Sequence, residues 1–307
     1  MLRAGILFQP CTMNSRRKFI QYSSMLGLGV AVSPLQFCTS PSKESVATES
    51  EPLLSEFGIQ LYSVKEDMAI DPAGTMRKLA SYGYKQFEGF DGGKGILWGM
   101  SPEEFNGLLN EIGAKMVATH CNVFENLEEQ AQLALQTGIQ YLICPWIGPQ
   151  KSIEEYKNIA AEFNQIGEKL NALGLKFAYH NHDYTFVELE GQMPQDVLMT
   201  ETNPEWVDFE MDMYWVYVAG IDPKDYLSKY PSRFKLCHVK DAIPGPGDPH
   251  QRGTLLGQGE IPYSDLIAQS QGLGMEFFIV EQEQFPSGTP MEAAEANAVY
   301  LSGLQKS

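Results

Sequence analysis

The chain has 307 residues, 43% hydrophobic and 20% charged, with 28 glycines and 18 prolines. That composition fits one domain of roughly 250 residues plus a tail, and it excludes collagen, coiled coil and wholesale disorder. The formal charge is −17, yet Arg3, Arg16, Arg17 and Lys18 all fall in the first 37 residues, which contain no acid; removing these four from the 22 basic residues leaves 18 against 39 acids. The body is therefore near −21. Neutralising phosphates takes clustered Lys and Arg, so an acidic body argues against nucleic acid as a partner and against binding to anionic lipid. Small polar ligands stay open.

Residues 1–37 read as an export signal of the twin-arginine type. Asn14-Ser15-Arg16-Arg17-Lys18-Phe19-Ile20 precedes an apolar run from Met25 to Leu35 that is too short to span a bilayer. Met13 is then a candidate true start. Gly27, Gly29 and Pro34 interrupt the run, which argues against a helix of the mature protein. Residues 38–57 are rich in Ser, Thr, Glu and Pro and are expected to form a disordered tether. Two fates stay open for Cys38, a lipid anchor or removal by an ordinary signal peptidase, because Gln36 and Phe37 are not the small residues that a lipoprotein signal places before its cysteine. Either fate puts the body outside the cytoplasm, in the periplasm. Cys121, Cys144 and Cys237 are the cysteines that follow; they form no C-x-x-C pair and are expected to be single buried thiols.

The body, residues 58–307, repeats one pattern. A helical stretch ends at a glycine and an apolar strand follows at once: SYG then YKQFEGF, EIG then AKMVATH, QTG then IQYLICPW, ALG then LKFAYH, GLG then MEFFIVE. Gly83, Gly113, Gly138, Gly174 and Gly274 take the position after the last helical turn, where the left-handed conformation favours glycine. Helix starts are marked too. Asp71-Pro72, Ser101-Pro102, Asp222-Pro223 and Thr289-Pro290 each put a side-chain acceptor before a proline, while Ser101 and Glu104, Ser152 and Glu155, and Thr289 and Glu292 have capping-box spacing. With GIQLYSV at 58–64, VDFEMDMYW at 207–215 and FKLCHVKD at 234–241, eight strands alternate with helices about every 30 residues. This predicts a (β/α)8 TIM barrel. A doubly wound open sheet is the alternative, but LYSVKEDM lacks the glycine-rich phosphate loop expected after its first strand.

In such a barrel chemistry gathers where the strands end. The strand ends hold Gln60, Tyr62, Glu88, His120, Trp146, His180, His182, Asp212, His238, Lys240, Glu281 and Glu283, and so four of the five histidines. Alternation along a strand puts His180 and His182 on one face, and likewise His238 with Lys240, Glu281 with Glu283, and Glu210 with Asp212. Strands five to eight are neighbours in a barrel, so His180, Asp212, His238 and Glu281 are expected to converge. Two imidazoles and two carboxylates suit Mn²⁺, Zn²⁺, Co²⁺ or Fe²⁺ better than Mg²⁺ or Ca²⁺. Without a shared cation or a closed hydrogen-bond network, four buried ionisable groups would be costly. Bland roles compete for the rest: a structural hydrogen bond for His120, a loop cap for Glu88, walls for Trp146 and Trp215, and an ion pair with Asp241 for Lys240.

Seven segments in order and spacing carry a family likeness: GIQLYSVK, YGYKQFEGF, YHNHDYTF at 179–186, FEMDMYWVYVAGIDP at 209–223, CHVKD at 237–241, GQGEIPY at 257–263 and IVEQEQ at 279–284. Together they resemble the sugar phosphate isomerase/epimerase family of xylose isomerase-like TIM barrels, from Gly58 to about Leu301. The resemblance implies a divalent metal at the strand ends and proton transfer next to a carbonyl. Asp212, His238 and Glu281 match three of the four family ligands. His180 stands where the family usually has a glutamate, and Trp215 where it usually has a histidine.

In the family the two glutamate ligands double as bases on opposite faces of the substrate. Losing one counts against a symmetric two-base epimerisation, and leaves one-base isomerisation or elimination. The expected reaction is metal-dependent isomerisation or epimerisation, through an enediolate, of a small unphosphorylated keto sugar. Glu281, His182 and Lys240 are the candidate catalytic residues, with Tyr62, Glu88, His120, Trp146 and Trp215 around the substrate. The alternatives are a 3-keto-glycoside lyase on the same metal site and an exported, non-catalytic sugar-binding barrel. Endonuclease-type repair fits worst with the acidic body, and assembly as a homo-oligomer stays open.

Overall fold

The structure is a computed structural model that describes residues 51–245 and 248–306. The export signal, Cys38 and the first part of the tether lie outside the described residues. Eight parallel strands close into a barrel: β1 (Gly58–Gln60), β2 (Gln86–Phe90), β3 (Lys115–His120), β4 (Tyr141–Cys144), β5 (Lys176–His180), β6 (Val207–Asp212), β7 (Phe234–Val239) and β10 (Phe277–Val280), with β10 pairing to β1 to close the ring. Between β7 and β10 a small antiparallel pair, β8 (Asp241–Ala242) and β9 (Gly253–Thr254), leaves the barrel wall. This is the TIM barrel that the periodicity predicts.

The local signals act as the sequence implies. All five helix-ending glycines have positive φ, from 62° at Gly113 to 112° at Gly83. Ser101 and Thr289 form complete capping boxes with Glu104 and Glu292. Ser152 accepts from the Glu155 N–H, but the Glu155 carboxylate turns to the Lys151 N–H at 2.7 Å, so this box is half made.

Two strands are shorter than their apolar runs. The Gln60 side chain accepts the Tyr62 N–H at 3.0 Å, which turns the chain into a 3₁₀ helix over Leu61–Val64. Asp212 caps the Trp215 N–H at 3.0 Å, so Met213–Val218 is helical. In both cases a polar side chain at the strand end captures the next turn's orphan donor. The body also starts earlier than Gly58. Leu53, Leu54 and Phe57 are buried, and the Leu53 N–H donates to Leu304 at 2.9 Å, so residues 51–57 pack on the barrel instead of belonging to a free tether.

Inside the barrel the inward side chains form layers. Val117, Ala118, Tyr141, Ile143, Ala178, Leu236, Phe277 and Ile279 make an apolar plug of their own, separate from the larger core between strands and helices. Toward the strand ends seven of the eight strands place polar groups in the barrel, Gln60, Glu88, His120, His180, Glu210, Asp212, His238 and Glu281, all buried, while β4 contributes none and sets Ile143 level with His120. Cys121, Cys144 and Cys237 are buried free thiols, raised by burial above the usual thiol range, Cys144 to about 12. Among the described residues, no helix is long and apolar enough to cross a membrane.

Candidate metal centre at the barrel mouth

Strand pairing sets the heights of the site. His180 lies level with Glu210, and Asp212 level with His238, whose other neighbour is Ile279, two residues before Glu281. Asn181, between His180 and His182, faces outward and stitches the ends of β5 and β6, donating to the Asp212 carbonyl and accepting the Asp212 N–H, both at 3.2 Å.

Two tiers of polar groups result. In the outer tier Asp212, His238 and Glu281 each offer a ligand atom, and the three lie within 4.8 Å of one another. His238 Nδ1 is 3.2 Å from Glu281 Oε2 and 3.7 Å from Asp212 Oδ2, while His180 Nε2 is 3.9 Å from Asp212 Oδ2. In the inner tier Glu210 Oε2 meets His120 Nε2 at 2.8 Å and His180 Nδ1 at 3.0 Å. Glu88 Oε1 meets His238 Nε2 at 2.7 Å, His120 Nε2 at 3.0 Å and Gln60 Nε2 at 2.6 Å.

The outer tier fits a divalent cation. Asp212 Oδ2 and His238 Nδ1 are buried without a hydrogen-bond partner, a costly state that a shared ion would relieve. Separations of roughly 3–4 Å between donor atoms suit bonds of about 2.0–2.2 Å to one ion. Protonation states agree with this in part. Burial, then the charges of His238 and His182, hold His180 well below the usual imidazole range, in the neutral form that ligates. Burial favours neutral Glu281, but His238 and then Lys240 pull its carboxyl down to about 2. Burial opposes a charged His238 as well, yet Glu210, Glu281 and Glu88 hold it well above the ordinary value. That proton must leave for His238 to serve as a ligand.

The inner tier holds its charge differently. Burial opposes protonation of His120, but Glu88 and Glu210 raise it to about 10, so an imidazolium sits between these two acids. Glu88 is held well below its usual range, against burial, by His120 and His238. Burial and the charge of Glu88 push Glu210 up to about 8.

A cavity of about 560 Å³ opens over the cluster, with Tyr62, His120, Trp146, His180, His182 and Glu281 in its lining. Trp146 is 53% exposed, its ring edge-on to His182 at 4.6 Å and to Tyr184 at 4.7 Å, and so offers a free aromatic face. His182 is held neutral, down to about 3, chiefly by burial, and its Nδ1 has no partner. Lys240 is buried beneath the rings of Tyr214 and Trp215, both 4.8 Å away, pairs with Glu283 and lies 3.9 Å from Glu281. Its backbone is pinned by the Tyr263 hydroxyl, which accepts the Lys240 N–H at 2.8 Å and donates to the Lys240 carbonyl at 2.6 Å.

The structure thus gathers Asp212, His238 and Glu281, keeps His180 with the inner group but with Nε2 3.9 Å from Asp212 Oδ2, sets His182 and Lys240 nearby, and places Tyr62, His120 and Trp146 on the cavity. Glu88 and Trp215 lie elsewhere. Glu88 is fully buried under the histidines, and Trp215 backs His182 and Lys240 outside the cavity lining. Sequence reasoning gave no role to Glu210, Gln60 or Glu283. For Glu210 the signal was present, since it lies two residues before Asp212 on the same face of β6.

The family model of xylose isomerase-like TIM barrels matches residues 76–302, and the chain belongs to that family. Within it, a sugar phosphate isomerase/epimerase structure from Parabacteroides distasonis superposes with a TM-score of 0.73 at 27% identity, covering 82% of this chain and 99% of that one. An L-ribulose 3-epimerase shares the fold at a TM-score of 0.61 and 10% identity, over 81% of this chain and 93% of that one. Inosose dehydratase of Lacticaseibacillus casei is 27% identical over 168 residues, 50% of this chain and 56% of that protein. Inosose dehydratase of Salmonella typhimurium is 30% identical over 173 residues, 52% of this chain and 57% of that protein. The chain thus spans little more than half the length of these curated relatives.

Proposed function

We propose that the protein is a divalent-metal-dependent enzyme that removes the proton next to the carbonyl of a small, unphosphorylated keto sugar. The observation that carries this reading is the outer tier, a buried set of imidazole and carboxylate atoms, two without hydrogen-bond partners, that meets the cavity at Glu281 beside His180. His180, Asp212, His238 and Glu281 would hold the cation, with Mn²⁺, Zn²⁺, Co²⁺ or Fe²⁺ suited to the mixed donors. Bound there, such an ion supplies Lewis-acid polarisation of a carbonyl and its neighbouring hydroxyl.

The chain's own residues supply the rest. Glu281, ionised and at the cavity wall, is the base. The Lys240 ammonium, 3.9 Å from Glu281 Oε2, favours that ionised form and accompanies the charge that develops on the substrate oxygen. His182, neutral with a free Nδ1, binds a substrate hydroxyl or passes a proton. Trp146 and Tyr62 offer faces on which a sugar ring can stack.

Two outcomes share this first step. β5 supplies His180 instead of a carboxylate, so the metal cluster has no second acid on the opposite side; this favours one-base chemistry. Elimination of a group β to the carbonyl suits that arrangement and the dehydratase names of the curated relatives. One-base isomerisation is the second reading, supported by the isomerase/epimerase name of the Parabacteroides protein. The twin-arginine stretch supports export and a substrate met outside the cytoplasm, and the acidic body supports an unphosphorylated one.

The test incubates metal-loaded protein in heavy water with free ketoses and with 3-keto glycosides. Deuterium entering the carbon next to the carbonyl is expected. Release of the β substituent would mark the lyase, and an altered sugar without release the isomerase. No exchange into any keto sugar would leave only a binding role.

A further inference from the structure

The inner tier of carboxylates is not part of the proposed metal shell, yet each of its acids grips a histidine of that shell by the opposite ring nitrogen. His180 turns Nε2 toward Asp212 Oδ2 at 3.9 Å and gives Nδ1 to Glu210 at 3.0 Å. His238 does the mirror image, with Nδ1 toward Glu281 and Asp212 and Nε2 on Glu88 at 2.7 Å. An imidazole can ligate through one nitrogen only if the proton resides on the other, and the partner of that other nitrogen decides which tautomer is present.

Resting on the metal site argued above, we propose that Glu210 and Glu88 are positioning residues that fix the tautomers and ring orientations of His180 and His238 and increase their strength as metal ligands. Glu210 matters most at β5, where the ligand itself is neutral: its Oε2 takes the proton-bearing Nδ1 of His180 at 3.0 Å, which leaves Nε2 as the nitrogen that faces the cation. His120 bridges the two carboxylates, 2.8 Å from Glu210 and 3.0 Å from Glu88, and keeps both from turning away. Gln60 closes the far end of the chain with its 2.6 Å bond to Glu88. Glu88 and Glu210 are fully buried and outside the cavity lining, so these acids reach substrate only through the histidines they hold.

The inner atoms also bear on a rival arrangement. His120, His180, Glu210 and His238 could themselves be a second cation site, since their ligand atoms lie within 4.8 Å of one another. Against this, His180 and His238 would each have to bind two ions through both nitrogens, and the 2.7–3.0 Å contacts are those of hydrogen bonds already made.

Glu210→Gln and Glu88→Gln keep the side-chain shape and an acceptor oxygen while replacing the carboxyl group with an amide. Calorimetric titration of the metal-free protein with Zn²⁺ should show one site in the parent. The dissociation constant should rise about 10–100-fold in either variant. Co²⁺-loaded protein should show a shifted visible absorption band in both variants, a change that a purely structural role would not produce. Thermal unfolding without metal identifies a variant that fails to fold, in which case the other variant decides. Equal affinity and an unchanged Co²⁺ spectrum in a folded variant would overturn the proposal, as would two Zn²⁺ per parent chain. A parent that binds no metal would instead overturn the metal reading itself.

Discussion

The barrel interior holds two layers with opposite logic. The plug of Leu236, Ile143, Ala178 and their neighbours is apolar, filled and internally satisfied. Toward the mouth the barrel presents Glu88, Glu210, Asp212, His238 and Glu281, equally buried but with Glu88 Oε2, Glu210 Oε1, Asp212 Oδ2 and His238 Nδ1 lacking partners. Burial stabilises the first layer by removing hydrocarbon from water. In the second it is a cost, and a cation that offsets it makes the layer useful. Stability and chemistry are thereby assigned to adjacent layers of one stack.

Three substitutions would sharpen or break that contrast. Asp212→Ala should have the largest effect: metal content by elemental analysis falls from about one ion per chain to near none, and turnover by at least ~10³-fold, as expected when a site loses its Lewis acid. The fold should survive, with a loss of about 1 kcal/mol for the missing helix cap at Trp215. Metal content equal to the parent's would refute the ligand assignment.

Leu236→Ala should do the reverse. It removes a fully buried side chain from the plug and should cost about 2–5 kcal/mol in denaturant unfolding, while the folded protein keeps its metal. If the ion were lost as well, the layers would not be separable.

The smallest effect is expected at Asp196, a partly buried acid on the outer helix Pro194–Glu201 whose charge is met by protein side chains rather than by a metal ion. Its carboxylate takes the Tyr226 and Tyr230 hydroxyls at 2.9 and 2.8 Å and Lys229 at 2.6 Å. Burial opposes its ionisation, but these donors hold it below the usual carboxylate range. A lowered folded value means the stabilisation is present above the unfolded pKa, about 3.9, and is lost as pH falls through the folded one. Asp196→Asn should therefore be less stable than the parent at neutral pH, and the gap should close in acid, below about pH 4. A gap independent of pH would show that the carboxylate charge is not what the tyrosines and Lys229 stabilise.

Much of this was legible in the sequence, for a physical reason. Helix stops, caps and strand alternation are local signals, and eight strands phased by them leave few closed arrangements. His180, Asp212, His238 and Glu281 were legible because period two puts each on the inward face at a strand end. Glu88 looked like a wall residue because nothing local distinguishes a mouth position from one a layer deeper. Residues 51–57 looked like tether because three apolar side chains in a polar stretch declare a docking site only when the partner surface exists.

By itself the sequence determined the barrel, the strand ends and the residue types that gather there, since these follow from nearest-neighbour periodicity along the chain. The tertiary structure alone decided the depth of each polar group and which nitrogen of each histidine faces which acid. Those depend on the stagger between strands 28 to 150 residues apart, which no local pattern encodes.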